Sequence, residues 1–287
     1  MSYGFAADAA KALNWLAAMG ADEAIAGVPF NRFDESAALS AAANLNPAPA
    51  PADQPRRSLN HRPSAPPVAP APPRSPAPAA VAIPAEELDA MAKSCGSLDD
   101  LARLLDGFDA CPLKRTATQL CFADGLPGAH LMIVGEAPGR DEDEQGRPFV
   151  GRSGQLLDKM LNAAGFDRNS DEPASSVFIT NAVFWRPPGN RNPSTAELTM
   201  CLPFVRRAIE LAGPRLIMTA GNIPTQALLG TSQGITRTRG SWKHLEIGGQ
   251  TYDVLPTLHP SYLLRSPEAK RLAWADLLEV KTTLTSR

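Results

Sequence analysis

Long apolar segments, a basic charge excess and a high cysteine content are all missing from this chain of 287 residues. No run reaches the roughly 18 apolar residues that a membrane-spanning helix needs. The N-terminus, from Met1 to Phe5, lacks the basic start and apolar stretch of a secretory signal peptide. Four cysteines are too few for a dense disulfide framework, so we expect buried, reduced thiols. These absences predict a cytoplasmic protein with no membrane partner.

The charge balance limits how the chain can contact nucleic acid. The net charge is −2, and the part after residue 84 carries 22 basic and 24 acidic side chains. A protein that wraps a duplex usually has a basic excess, whereas contact with one strand needs only a local cluster of cations. A candidate cluster lies in or near the loops described below: Arg147, Arg152, Arg186, Arg191, Arg237, Arg239 and Lys243.

Composition divides the chain into three parts. Thirteen of the 28 prolines lie between Pro47 and Pro84, so residues 45–84 are predicted to form an extended, disordered linker. Residues 1–44 contain a short helical pattern, but so short a piece rarely folds alone. It is either a docking segment for a protein partner or part of the main body. Residues 85–287 are predicted to be the folded domain.

Apolar strand patterns alternate with helical patterns in this domain. The predicted strands are Leu131–Val134, Val177–Asn181, Leu216–Ala220 and Tyr252–Thr257. The predicted helices are Glu86–Lys93, Leu98–Leu105, Gln155–Ala164, Thr195–Leu211, Ile223–Leu229 and Glu268–Lys281. The alternation predicts an α/β fold, a three-layer αβα sandwich around a central, mostly parallel four-stranded sheet.

The segment from Gly135 to Leu157 combines acids, glycines and one aromatic residue between a predicted strand and a predicted helix. Ligands bind at the carboxyl ends of strands in open α/β sheets, and glycines let backbone amides approach a ligand closely. A polar surface loop with solvated acids is the alternative. A second loop favours a functional site, because His259 also follows a predicted strand.

Four motifs occur in order along the chain: Gly135-Glu136-Ala137-Pro138-Gly139, Pro148-Phe149-Val150-Gly151, Asn181 at a strand end, and His259-Pro260-Ser261. In this order they resemble the uracil-DNA glycosylase superfamily, in particular its family 4, over roughly residues 109–284. The resemblance implies the fold predicted above. It also implies a base excision repair enzyme that flips uracil out of DNA, hydrolyses its N-glycosidic bond and leaves an abasic site.

The resemblance assigns uracil binding to three residues. Phe149 would stack on the flipped base. Asn181 would read the edge of uracil, because an amide supplies both the donor for O4 and the acceptor for N3–H. Ala137 lies within the first motif, and the unknown width of the pocket leaves a broader specificity for deaminated bases as an alternative.

Catalytic roles are implied for Glu136, Glu142 and His259. Cleavage builds positive charge on the sugar and negative charge on the departing base, so the site needs an anion and a hydrogen-bond donor. Glu136 would supply the anion, and His259 would face the uracil O2. Glu142 is a second acidic position of the motif, and the sequence leaves open which acid orients the water.

DNA contacts are implied for Asn190, Ser261, Leu263 and Arg265. Leu263 and Arg265 are candidates for filling or gripping the gap that the flipped base leaves, as apolar wedges do in DNA-deforming proteins. The alternative for Leu263 is a leucine that packs back on the core.

The cysteines depart from the family pattern. Family 4 proteins typically hold a [4Fe-4S] cluster through four cysteines, and here Cys111 and Cys201 stand at two of those positions. Phe108 and Trp185 stand at the other two, and neither can ligate iron. We therefore expect no cofactor, with the two aromatic rings filling the space.

Three alternatives remain open. A rearranged cluster could use Cys95 and Cys121, although their spacing matches no known pattern. A non-catalytic homologue that binds uracil-DNA or a repair partner would explain the lost cysteines, whereas retention of all four motifs favours the enzyme. One variant of the family traps its product covalently through an added histidine in the segment that corresponds to Asn181–Cys201. This chain has no histidine there, which favours ordinary turnover by water. A monomer is expected.

Overall fold

The computed structural model describes residues 83–286. The predicted N-terminal segment 1–44, its possible protein partner, and all but the last two residues of the predicted linker 45–84 lie outside these residues. Every helix within residues 83–286 is too short or too polar to cross a membrane.

A six-stranded sheet forms the centre, in the spatial order β1-β3-β2-β4-β6-β5. Its strands are β1 (Ala123–Gly125), β2 (Leu131–Gly135), β3 (Val177–Asn181), β4 (Leu216–Ala220), β5 (Lys243–Ile247) and β6 (Gln250–Thr257). The four inner strands are parallel and match the four predicted strands. The two edge strands are antiparallel and were not predicted. β1 has only three residues, and β5 has no continuous apolar run.

Helices cover both faces of the sheet. They are α1 (Ala85–Ser94), α2 (Leu98–Asp106), α3 (Arg140–Gln145), α4 (Arg152–Ala163), α5 (Thr195–Ala212), α6 (Asn222–Leu229), α7 (Ile235–Thr238), α8 (Pro260–Arg265) and α9 (Lys270–Ser286). Single 3-10 turns lie at Pro112–Arg115, Pro188–Asn190 and Pro267–Ala269. The short helices α3, α7 and α8 were not predicted, because four to six residues carry little periodicity.

Alternating side chains of β2 separate two hydrophobic clusters. Leu131 and Ile133 pack with residues of α4 and α9, and Met132 and Val134 pack with residues of α1, α2 and α5. Successive strand residues point to opposite faces, so one short apolar run serves both clusters. The predicted three-layer αβα sandwich is therefore confirmed.

The carboxyl ends of the parallel strands meet at one edge of the sheet, where β2 ends at Gly135 and β3 ends at Asn181. The strands β2 and β4 are neighbours in the sheet. From β2 the chain continues to β3 on one side of this pair, and from β4 it continues toward β6 on the other side. Such a divergence opens a crevice between the connections. The loops carrying the sequence motifs border this crevice.

Asp276 ties α9 to the end of β6. Its carboxylate is 2% exposed and accepts hydrogen bonds from the Arg239 guanidinium and from the Thr257 hydroxyl, the latter at 2.7 Å. Thr257 is the last residue of β6, two positions before His259. The contact therefore fixes the strand end that carries the histidine loop.

Replacement of Asp276 by alanine should lower the free energy of unfolding by about 3 kcal/mol, because it leaves the Arg239 charge without its buried partner. Urea denaturation followed by circular dichroism measures the loss. The matched control is Asp109→Ala, whose 88% exposed carboxylate pairs with Lys114 and should matter little. Equal losses in the two variants would contradict the structural importance of the Asp276 contact.

Candidate active site

A cavity of about 470 Å³ opens at the carboxyl edge of the sheet. Nine of the ten predicted site residues line it: Glu136, Ala137, Glu142, Phe149, Asn181, Asn190, His259, Ser261 and Arg265. They come from the segment between β2 and α4, which includes α3, from the end of β3, from the turn after it, and from α8 with its N-cap His259. The structure thus brings together residues that lie more than a hundred positions apart in the chain.

Leu263 is the exception. Its side chain is fully buried and belongs to the hydrophobic cluster that α4 and α9 form on one face of the sheet. The prediction that Leu263 fills the gap in DNA is therefore wrong, because α8 turns this residue inward and the core-packing alternative holds. The exposed apolar side chains of α8 are its neighbours Tyr262 and Leu264, at 39% and 37% exposure.

Asn181 lies at the end of β3 and is 1% exposed, yet its Nδ2 has no hydrogen-bond partner in the described part of the chain. It stands beside Gly135 in the parallel pairing of β2 and β3. A Cβ atom at position 135 would lie 2.4 Å from the Asn181 Oδ1, so only glycine leaves room for the amide. A buried unsatisfied amide costs about 1–3 kcal/mol. This amide borders the cavity and is available to a ligand there.

Phe149 borders the same cavity with an unusual backbone. Its φ is 54°, in the left-handed region that non-glycine residues rarely adopt. Its ring is 5% exposed and lies 5.6 Å from the His259 ring, with 29° between the two planes. A Cβ at Gly135 would also lie 2.4 Å from the Phe149 ring. One missing side chain therefore makes room for both the amide and the ring.

The two acids of the motif have different surroundings. Glu136 is half-buried, and no hydrogen bond reaches its carboxylate from residues 83–286; burial raises its pKa above the ordinary value. The Glu142 carboxylate instead accepts three backbone N–H groups, from Gly139 at 3.0 Å, Val150 at 3.0 Å and Gly151 at 2.8 Å. Glu142 thus joins two loops, while Glu136 keeps free oxygens toward the cavity.

His259 presents a neutral imidazole. Its Nδ1 accepts the backbone N–H of Ser261 at 3.1 Å and lies 2.8 Å from the Ser261 hydroxyl. Burial, with a smaller effect of the Arg265 charge, lowers the pKa of His259 to about 4. Because Nδ1 is the acceptor, the single ring proton resides on Nε2 at neutral pH. The cavity therefore meets an uncharged donor.

The predicted basic cluster is only partly assembled. Arg152 and Arg191 line the cavity, but Arg239 is bound to the buried Asp276, and Lys243 lies on β5 outside the cavity. Arg191 is itself neutralised by a bidentate pair with Glu197, at 2.6 and 2.8 Å.

The free cations at the cavity rim are Arg152 and Arg265, which are exposed and have no acidic partner within residues 83–286. Asn190 also lies at the rim, where its Oδ1 accepts the Arg186 Nε at 2.7 Å. The rim thus offers two positive charges and one oriented amide to a polyanion.

The four cluster positions of family 4 are filled differently here. Cys111 and Cys201 share a thiol hydrogen bond, which together with burial raises the pKa of Cys201 well above its ordinary value. Phe108 and Trp185 are buried and stacked, with ring centroids 6.5 Å apart. The other two cysteines bond to backbone carbonyls elsewhere, and no group of three His, Cys, Asp or Glu within residues 83–286 could hold a metal. These residues do not fit a four-thiolate cluster.

One contact of the site was not predicted from the sequence. Arg168, in the connection between α4 and β3, donates hydrogen bonds to the backbone of Phe149 and its neighbour. It belongs to none of the four motifs, and its surroundings, Phe166-Asp167-Arg168-Asn169, read as an ordinary polar turn. Only the folded structure reveals its partners.

Comparisons with known proteins agree with this geometry. The family model described as "Uracil DNA glycosylase superfamily" matches residues 122–278, which is more than half of the chain. The chain is 35% identical over 193 residues to a type-4 uracil-DNA glycosylase of Sulfurisphaera tokodaii, covering 64% of this chain and 84% of that protein. It is 37% identical over 179 residues to that of Thermotoga maritima, covering 60% and 87%, and 37% identical over 184 residues to that of Pyrobaculum aerophilum, covering 63% and 91%. The chain belongs to the uracil-DNA glycosylase superfamily.

Proposed function

We propose that this protein excises uracil from DNA in base excision repair by hydrolysing the N-glycosidic bond. It is a DNA glycosylase, and the reaction leaves an abasic site. The observation that carries the residue assignment is that three groups converge on one cavity. Within residues 83–286, the Asn181 Nδ2 and the Glu136 carboxylate have no hydrogen-bond partner, and His259 is a neutral imidazole.

Recognition begins with a uracil nucleotide that leaves the duplex and enters the cavity. The Asn181 Nδ2 donates to uracil O4, and its Oδ1 accepts the N3–H, which satisfies the amide that the free protein leaves unpaired. Cytosine presents the opposite donor and acceptor pattern at these positions and would leave both groups unsatisfied. The Phe149 ring stacks on the base, and Ala137 borders it.

Bond cleavage follows from the charges around the cavity. As the bond to the base stretches, the sugar becomes positive and the base becomes negative. The ionised Glu136 stabilises the sugar cation and orients the attacking water. The His259 Nε2–H donates to the uracil O2, where negative charge collects, and stays neutral while doing so. The glycosidic bond then breaks, and its electron pair leaves with the base as the uracil anion. The water oxygen bonds to the anomeric carbon of the sugar, and the proton that this water loses passes to the Glu136 carboxylate.

Glu142 is assigned a positioning role. Its carboxylate is occupied by the three backbone N–H groups of the Gly139 and Val150–Gly151 loops. An acceptor with its lone pairs so engaged is a poor choice for orienting water. Glu136, which accepts no such bonds from residues 83–286 and has a raised pKa, orients the water.

DNA is held by the rim of the cavity. Arg152 and Arg265 contact phosphates, and Asn190 contacts the backbone from the opposite turn. Ser261 acts mainly through its hydrogen bond to the His259 Nδ1, which fixes the imidazole. The exposed apolar residues of α8 take the place of Leu263 in facing the gap.

The catalytic body works without an iron-sulfur cluster. Phe108 and Trp185 stand where two ligands would be needed, and Phe108 also packs edge-on against Phe204 of α5 at 5.2 Å. The packing of these rings joins the segment before β1, the segment after β3 and α5 in one apolar cluster. We assign to these rings the joining role that a cluster has when four cysteines are present.

A uracil-containing oligonucleotide should be cleaved after alkaline treatment, with product appearing at the uracil position. Asn181→Ala, His259→Ala and Glu136→Gln should each lower the single-turnover rate by about 100-fold or more while DNA affinity changes little. The surface variant Asp109→Ala serves as the control. Wild-type-like rates in the three variants, or an uncleaved oligonucleotide that remains bound, would favour the non-catalytic alternative.

The pH dependence should report Glu136. Its pKa is raised, so the carboxylate becomes ionised only above the ordinary value of 4.5, and the rate should rise with pH through a midpoint above 4.5. His259, with a pKa of about 4, is mostly neutral from about one pH unit above that value, so the limb beyond that point reports Glu136. Single-turnover rates from pH 4 upward test this, and Glu136→Gln should flatten the limb. A limb centred near 6.5 that persists in Glu136→Gln would instead indicate a titrating histidine.

Protein produced with ample iron and purified without oxygen should be colourless, active and free of iron and acid-labile sulfide. Visible absorption and metal analysis on the active sample measure this. A brown protein with about four iron atoms per chain, whose colour disappears in Cys111→Ser, would contradict the cluster-free assignment.

A further inference from the structure

The backbone conformation of Phe149 must be stabilised by residues around it. Its φ is 54°. Among the non-glycine residues of 83–286, only Phe149 and Asn190 have a positive φ, and both border the cavity. A residue in this region costs about 1–3 kcal/mol and persists only where its surroundings impose it. The groups that impose it therefore also fix the direction of the ring.

Arg168 stabilises this conformation from the carbonyl side of the loop. Its side chain is 6% exposed, and its guanidinium reaches two consecutive carbonyl oxygens of the loop. Nη2 donates to the Phe149 oxygen at 2.9 Å, and Nη1 donates to the Pro148 oxygen at 3.0 Å. The two carbonyls flank the Phe149 Cα on both sides, so their positions define its backbone conformation.

The guanidinium is itself fixed by two carboxylates. Nε donates to the Asp158 Oδ1 at 2.8 Å, Nη2 forms an ion pair with the same oxygen at 2.7 Å, and Nη1 donates to the Asp124 Oδ2 at 2.9 Å. Together with the two bonds to carbonyls, Arg168 donates four hydrogen bonds, which use four of its five N–H groups. Lysine has three donors on a flexible stem and could not reproduce this arrangement.

Glu142 and Gly154 also stabilise the conformation of this loop. Glu142 accepts the N–H groups of Val150 and Gly151, the residues after Phe149. A Cβ at Gly154 would lie 1.8 Å from the Phe149 oxygen, so α4 approaches this peptide as closely as glycine allows. A cation thus holds the carbonyls and an anion holds the amides of one short loop.

We propose that Arg168 is a positioning residue for uracil excision, which holds the Phe149 ring in place for the flipped base and is itself oriented by Asp124 and Asp158. Arg168 touches neither the base nor the sugar and acts through the backbone of Phe149. The proposal rests on the stacking role of Phe149 given above.

The test compares Arg168→Met with a matched control, Arg207→Met, in the full chain. Arg207 is also largely buried, at 23% exposure, and donates to a backbone oxygen, that of Cys95 at 2.7 and 3.1 Å, and to the Glu210 carboxylate at 2.7 Å, but it does not line the cavity. Arg168→Met should raise the inhibition constant of free uracil and lower the single-turnover rate, each by about 10-fold or more, since a misplaced binding group is costly. Arg207→Met should stay within about twofold of the original protein in both constants.

Two further variants separate positioning from folding. Asp158→Asn keeps Arg168 and loosens only its orientation, so it should give a smaller change in the same two constants without loss of the folded state by circular dichroism. Arg168→Lys should not restore uracil binding. Changes that only follow the folded fraction, or full recovery in Arg168→Lys, would overturn the proposal.

A double-variant cycle with Phe149→Ala distinguishes failure of the Arg168 positioning role from failure of the Phe149 stacking role on which it rests. If Arg168 acts through Phe149, Arg168→Met adds little to the loss that Phe149→Ala already causes. Losses that simply multiply would overturn the positioning role. An unchanged uracil inhibition constant in Phe149→Ala alone would instead refute the stacking role and leave the Arg168 contacts as purely structural.

Discussion

The site depends on the parallel pairing that sets Gly135 of β2 beside Asn181 of β3. Because position 135 has no side chain, the Asn181 amide and the Phe149 ring occupy the space on the same side of the strand end. In the proposed site, these two groups contact the edge and the face of the same base. A register shift by one residue would turn Asn181 to the other face of the sheet and separate it from the ring.

Three groups of the site have conformations or surroundings that cost free energy, and the residues packed around them maintain these. The buried Asn181 Nδ2 has no hydrogen-bond partner among residues 83–286, burial raises the pKa of the Glu136 carboxylate, and Phe149 has a left-handed backbone. In the proposed mechanism, uracil pairs with this amide, reacts beside this carboxylate and stacks on this ring. The neutral His259 fits the same logic, because a charged imidazole in a buried position would be destabilised before any negative charge develops on the base.

The sequence predicts the inner sheet and most of the site because both depend on local signals. Short apolar runs such as Leu131–Val134 identify the parallel strands, and the four motifs identify Glu136, Asn181 and His259. The edge strands have no such signal. The inward direction of Leu263, the three amides bound by Glu142 and the partners of Arg168 depend on how separate segments meet in the fold. These could not be predicted from residue types and spacing.

The proposed mechanism is tested most directly by a crystal structure of the protein with DNA that carries a non-hydrolysable deoxyuridine analogue. We expect a flipped base with its O4 and N3 on the Asn181 amide, its face on Phe149, its O2 at the His259 Nε2, and the Glu136 carboxylate near the sugar. A base that remains stacked in the duplex, or one bound away from Asn181, would contradict it.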